Sequence, residues 1–263
     1  MNFDFTPDQY LLRDSVRRFL ADQWGARKLR AAAGQWDPAL WQGLCGLGLQ
    51  TLLVPETEEG AGLGLVDVAL ILEEFGRALV PGPMADTLLA SDVIARFGTP
   101  AQRASLLPEI ASGACRVAFA HAEPGVGHTA QEVALAAVNS AGEWRLQGRK
   151  ILVPGAQAAT RLLVSAKPPG GAPALFLCDA TGDRISIGRH QAIDPDSLLC
   201  QVHFDAATAQ PIGAQPIGGP DRGALARMLE TSALAAATQM VGIAAAALDI
   251  AVAYAKQDRK SVV

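Results

Sequence analysis

Residues 120–166 read AHAEPGVGHTAQEVALAAVNSAGEWRLQGRKILVPGAQAATRLLVSA, and the texture of this stretch decides the fold. Short apolar or alternating runs (EVALAAV, EWRLQG, RLLVSA) are cut by turn sequences (EPGVGH, NSAGE). Runs of this length, separated by Gly, Pro, Asn and Asp, mark β-strands joined by tight connections. The same texture starts at RVAFAH and continues through ALFLCD, RISIG and LLCQVHF, with KPPGGAP, DATGD and DPD between them. An antiparallel barrel or sandwich over residues 113–205 is the expectation.

Outward from this block, both flanks are helical. Over residues 1–112, TPDQ at Thr6–Gln9 is a capping box with proline at the first helical position, and TPAQ at Thr99–Gln102 repeats the device. Asp37-Pro38 opens another helix, with Leu40, Trp41, Leu44 and Leu47 on one face. VDVALILEEFGRAL, 66–79, is a further helix, broken by VPGP. On the other flank, residues 206–263 form a proline-containing linker, in which QPIG occurs twice, and then one long helix from Asp221 to about Lys260. Eleven of the 25 residues from Thr231 to Ala255 are alanine. A helix this long needs partner helices to cover its apolar faces.

Composition narrows the function classes. Half of the residues are hydrophobic and the formal net charge is −4, with no basic stripe, which argues against nucleic acid. Four dispersed cysteines read as small buried hydrophobes in a reducing compartment. The acidic N-terminus lacks the basic region of a signal peptide, so a cytoplasmic location is expected. Residues 231–248 are uncharged over nearly a membrane-span length, but alanine carries little transfer energy, so no membrane span is expected. The four histidines lack metal-ligand spacing, and no metal is expected. GAGLG at Gly60–Gly64 lacks the third glycine of a dinucleotide loop and reads as a flexible connection. His203 alternates with Val202 and Phe204 on a strand, which puts it at the surface.

The quoted stretch resembles the flavin-binding segment of the acyl-CoA dehydrogenase family, with its TEPGAGSD-like turn, a strand ending in NGxK and a short hydrophobic strand. LWQGLCGLGLQTLLVPETEEGAGLGLVDVALILEEFGRALVPGP is similar to the family's second and third helices. FGTPAQRASLLPEIASG is similar to the approach to its β domain, and QMVGIAAAALDIAVAYAK to the first helix of its C-terminal bundle. These pieces run colinearly over essentially the whole chain. The resemblance implies an α+β multi-domain fold. It comprises an N-terminal all-α domain (1–112), a middle antiparallel β-barrel or sandwich (113–205), and a linker with the first helix of an incomplete four-helix bundle (206–263).

By the same resemblance the chain takes FAD and an acyl-CoA thioester, and oxidises the α,β bond of the acyl group with the flavin as hydride acceptor. Phe119, His121, Ala122, Gly127, His128, Leu152, Val153, Pro154 and Arg259 are the implied cofactor residues. His128, Glu230, Thr231 and Ser232 are the implied substrate residues. Gly125 and Gly127 allow close backbone approach. Several positions depart from the family pattern. Ala122 stands for a threonine, His128-Thr129 for Ser-Asp, and Ala233 for an arginine. Pro154 stands for Thr or Ser and has no N–H to donate. Asp258 occupies the place of an arginine in an RxQFG segment, or Arg259 does with a slip of one residue. The family's catalytic glutamate has no counterpart: Ser232 holds its alternative position, and Glu230 points to another face. The resemblance therefore names no catalytic base. It implies a homo- or hetero-oligomer that completes the bundle, with a non-catalytic subunit of a heteromeric dehydrogenase, or a truncated inactive fragment, as the alternatives.

Overall fold

The computed structural model describes residues 4–32, 34–127, 129, 131–194, 197–213 and 222–258. Among the described residues seven α-helices flank a seven-stranded sheet, and the chain divides into two compact units.

The first unit takes in helix α1 (Pro7–Gln23), helix α4 (Leu65–Ala78) and the later turns of helix α7 (Arg222–Asp258). The expected capping box starts α1. Thr6 Oγ accepts from Gln9 N–H at 3.2 Å, and the Gln9 side chain accepts from Thr6 N–H at 2.9 Å. Two polar ties then hold α1 to α4. The Gln9 amide donates to Asp67 at 2.9 Å. Arg17 grips the buried Glu74 with both forks, at 2.6 and 2.9 Å. The α4–α7 contact is built on glycines. A Cβ at Gly76 would lie 2.0 Å from the Gln239 carbonyl oxygen, and one at Gly242 2.0 Å from that of Glu73. Only hydrogen at these positions lets the two backbones approach so closely. Arg77 closes the contact with an ion pair to Asp249 at 2.6 Å.

Along α7, Met240, Val241, Leu248, Ile250 and Tyr254 remain exposed, Ile250 at 71% and Tyr254 at 72%. The helix is long and apolar enough to cross a membrane by length and composition, and 11% of its most apolar window is buried.

The second unit holds helix α3 (Pro38–Gly46), helix α5 (Met84–Phe97), helix α6 (Pro100–Ala111), all seven strands and the first turns of α7. A short helix α2 (Ala26–Ala32) ends the N-terminal segment of the first unit, which runs to Ala31. Asp37 caps α3 through Ala39 N–H at 2.8 Å, and Thr99 caps α6 in a second capping box. The GAGLG connection is pinned rather than flexible. Ala61, Gly62 and Leu63 donate their N–H groups to the carbonyls of Thr51, Val54 and Leu52 at 2.8–3.0 Å. A Cβ at Gly60 would lie 2.0 Å from the Val54 oxygen.

The strands are β1 (Val117–Ala120), β2 (Ala136–Ser140), β3 (Glu143–Pro154), β4 (Arg161–Ala166), β5 (Ala174–Asp179), β6 (Ile185–Arg189) and β7 (Leu199–Pro211). Their order is β1-β4-β5-β7-β3-β2, with β6 on β7. Just past β4, Lys167 bridges Ala136 of β2, so β4, β5, β7, β3 and β2 close into a ring. That closure makes a barrel, to which β1 and β6 are each added by one pairing, with β4 and β7 respectively. Two pairings depart from the antiparallel expectation: β1 runs parallel to β4, and the Ala136–Lys167 bridge that closes the ring is parallel as well. Ala141 and Gly142, at φ 54° and 87°, turn that hairpin in the two-residue form that suits strand twist. The last strand continues to Pro211, where a linker was expected from residue 206. Its alternation there is carried by Ala207 and Ala209, whose small side chains enter the barrel core.

Candidate functional site

The two segments singled out in the sequence, 119–127 and 152–154, meet in the structure. Between Lys150 and Val153 the pairing of β3 with β7 shifts register. Released from β7, Ile151 donates its N–H to the Ala122 carbonyl at 2.9 Å, which ties the end of β1 to β3. Within the same irregularity Leu152 adopts φ 53° and is 41% exposed on a strand whose neighbour Val153 is buried. An L-residue in the left-handed region is strained by roughly 1 kcal/mol. Here the strain accompanies an apolar side chain that is turned outward.

Along β1, Ala118 and Ala120 enter the barrel core, so the alternating Phe119 and His121 share the other face. Their rings stack with centroids 5.7 Å apart and planes 15° from parallel. The Phe119 N–H donates to Asp86 Oδ2 at 2.9 Å, from the first turn of α5. Desolvation pushes the Asp86 carboxyl up to about 7, against the opposing effect of that hydrogen bond.

A buried polar cluster adjoins these rings. Lys150 is fully buried, and its ammonium donates to the His121 carbonyl at 2.8 Å, Glu123 Oε1 at 2.6 Å and Ser165 Oγ at 2.9 Å. Ser165 Oγ lies 2.9 Å from His121 Nδ1. Both Glu123 oxygens also accept the Ala134 N–H, at 3.1 and 3.2 Å. Desolvation brings the lysine down to about 8, while the hydrogen bond and charge of Glu123 oppose the shift.

The remaining sequence candidates divide. Val153 pairs with Cys200 and its side chain packs in the barrel core, so only its backbone could reach a cofactor. Pro154 ends β3 and offers no N–H. A Cβ at Gly127 would meet the mobile end of the Glu132 side chain, and one at Gly125 would meet nothing within 4 Å. On α7, Glu230 is exposed, and the Thr231 hydroxyl is spent on the Arg227 and Met228 carbonyls at 2.8 and 3.2 Å. The Ser232 hydroxyl oxygen is buried without a hydrogen-bond partner. His128 and Arg259 lie outside the described residues. Among the described residues no group of three or more His, Cys, Asp or Glu is placed to hold a metal.

These residues offer the kind of apolar surface that would take one face of a flat ring system such as the isoalloxazine of FAD. Leu152 is turned outward, Phe119 and His121 are stacked, and Ala122 carries a minimal side chain. Nothing in the sequence singles out Asp86 or Ser165 for this cluster, and Lys150 stands out there only as the last residue of the NGxK-like strand.

Comparison with known proteins gives consistent findings. A family model described as Acyl-CoA dehydrogenase, N-terminal domain, matches residues 6–114. The acyl-CoA dehydrogenase FadE12 of Mycobacterium tuberculosis is 28% identical over 269 residues, which cover 97% of this chain and 68% of FadE12. A solved variant of the Tcur3481–Tcur3483 steroid ACAD is 35% identical with a TM-score of 0.84, covering 94% of this chain and 66% of that one. An acyl-CoA dehydrogenase from Bacillus anthracis, solved in complex with FAD, is 25% identical with a TM-score of 0.83, covering 97% of this chain and 45% of that one. The chain thus spans about two thirds of FadE12 and of the steroid ACAD chain.

Proposed function

This chain belongs to the acyl-CoA dehydrogenase family, and on that premise we propose that it supplies the flavin-binding half of an enzyme acting on an acyl-CoA thioester. The reaction is removal of two hydrogens from adjacent carbons of the acyl group, as part of lipid metabolism in the cytoplasm. The observation that carries this reading is the joint between Ala122 and Ile151, which sets Phe119, His121 and Ala122 beside the outward-turned Leu152.

Phe119, His121, Ala122 and Leu152 would form the wall against which the ring of FAD lies, with the Val153 backbone beside it. Bound FAD would accept the hydride from the β carbon. The apolar side chains would exclude water from the reacting carbons, and a dry site strengthens every polar contact made to the thioester. Glu230 and Ser232 belong to the substrate side of this proposal. Thr231 contributes packing only, since its hydroxyl is already satisfied within the helix. His128 and Arg259 keep the cofactor roles implied by the family.

The exposed apolar residues of α7 point to an oligomer in which further helices cover them. The steroid ACAD named for the pair Tcur3481–Tcur3483 supports a heteromeric arrangement. A second reading, a non-catalytic subunit of such an assembly, draws on Pro154, which removes a backbone donor from the cofactor wall.

The test is a titration of the purified chain with FAD, followed by flavin absorbance and by quenching of its fluorescence. Saturable binding with a structured flavin spectrum supports the proposal. A chain that takes up no flavin, alone or with a co-expressed partner, refutes it.

A further inference from the structure

Four side chains at the end of β1 form a relay that the wall of rings alone does not require. The Lys150 ammonium has three hydrogens, and each meets an acceptor from a different residue: His121, Glu123 and Ser165. Two of these acceptors belong to the turn after β1 and one to β4. A single side chain on β3 therefore holds three segments together.

Ser165 is fully buried and has one hydrogen to give. Its oxygen accepts from Lys150, so its own hydrogen is directed at His121 Nδ1, 2.9 Å away. The opposite arrangement, with Nδ1–H donating to Ser165, would give the serine oxygen two donors and its own hydrogen no acceptor among the described residues. An unsatisfied buried hydroxyl costs about 1–3 kcal/mol. The network thus assigns Nδ1 as an acceptor and places the ring proton on Nε2. The stack on Phe119 fixes the plane of the same ring.

We propose that Lys150 is a positioning residue for the cofactor wall: through Ser165 it holds His121 as the neutral Nε2–H tautomer, in one orientation against Phe119. This deepens the proposed function, and its cofactor part rests on that reading. The hydrogen-bond relay itself does not.

The test uses the full chain labelled with 15N-histidine, in which the ring nitrogens are read by long-range proton–nitrogen correlation. His121 is assigned by the signal lost in His121→Gln. The variants are Ser165→Ala, which keeps the Lys150–Glu123 pair, and the double variant Lys150→Met/Glu123→Gln, which leaves no lone buried charge. Each variant is also titrated with FAD. In the wild type, His121 should show an unprotonated Nδ1 and a protonated Nε2. In both variants the two nitrogens should shift toward a tautomer average, and FAD affinity should fall roughly tenfold, the equivalent of one lost hydrogen bond. A protonated Nδ1 in the wild type, or a tautomer unchanged in both variants, overturns the proposal. A tautomer change with undiminished FAD affinity overturns the positioning role. A wild type that takes up no flavin yet shows the Nε2–H tautomer refutes the proposed function while upholding the relay.

Discussion

Lys150 Nζ lies 2.6 Å from Glu123 Oε1, and the lysine side chain is fully buried. Removing one partner of such a pair leaves the other charge uncompensated in a low-dielectric interior. Lys150→Met should therefore destabilise the chain by about 3–5 kcal/mol. Lys150→Met/Glu123→Gln should cost markedly less, because no charge is stranded. Denaturant unfolding of the three proteins checks this, and equal losses in the single and double variants would show that the pair is not coupled.

Asp86 provides a test by pH. Its folded carboxyl is raised from 3.8 to about 7 by desolvation. Between these values the folded state holds more protons than the unfolded one. The contribution of this group is fully present below about 4 and is lost as pH rises through 7. Asp86→Asn keeps an acceptor for the Phe119 N–H but does not titrate. The stability of the variant relative to wild type should thus rise from pH 4 to 7, by at most about 1.4 kcal/mol per pH unit. A pH-independent difference would contradict the raised carboxyl.

Leu152 separates stability from function. It sits at φ 53° with its side chain exposed, so Leu152→Gly removes backbone strain and little packing. Thermal unfolding should change by no more than about 1 kcal/mol, against 2–5 kcal/mol for truncating a buried leucine. FAD affinity should fall nevertheless. A large loss of stability would show that the Leu152 side chain is structural.

Gly242 makes the complementary case in the helical unit. Gly242→Ala would bring a Cβ to 2.0 Å from the Glu73 backbone oxygen, and backbone cannot swing aside as a side chain can. It should destabilise the α4–α7 contact by about 1–3 kcal/mol, as overpacking does elsewhere. In the chain measured alone, Leu248→Ser on the same helix should stay within about 0.5 kcal/mol, because the helices proposed to cover this residue are not part of the chain.

What could be read from the sequence was local. Both capping boxes, the start of α3 at Asp37-Pro38 and the NSAGE turn announce themselves within a few residues, and each is found where the chemistry puts it. His203 likewise lies exposed between the buried Val202 and Phe204. The parallel pairing of β1 with β4 was not legible, because it is decided by strands more than forty residues apart. GAGLG looked flexible because glycine is usually read as freedom. At Gly60 it serves close approach instead, as it does at Gly76 and Gly242.

The site was legible only as segments. Phe119, His121, Ala122 and Leu152 were named, and the Ala122–Ile151 hydrogen bond brings their segments together. Asp86 was not, since nothing near it in sequence tells of Phe119, whose N–H it accepts. Thr231 is implied by its place in the family pattern, yet the helix consumes its hydroxyl, a habit of threonine in helices that depends on rotamer rather than on sequence.

The most direct measurement is the anaerobic half-reaction. The chain, reconstituted with FAD and with any partner that co-purifies, is mixed with a panel of saturated acyl-CoA thioesters while the oxidised-flavin absorbance is followed. The account predicts that at least one thioester bleaches the flavin band with formation of the 2,3-unsaturated product. Flavin that is bound but stays oxidised with every thioester, with no unsaturated product, would contradict it.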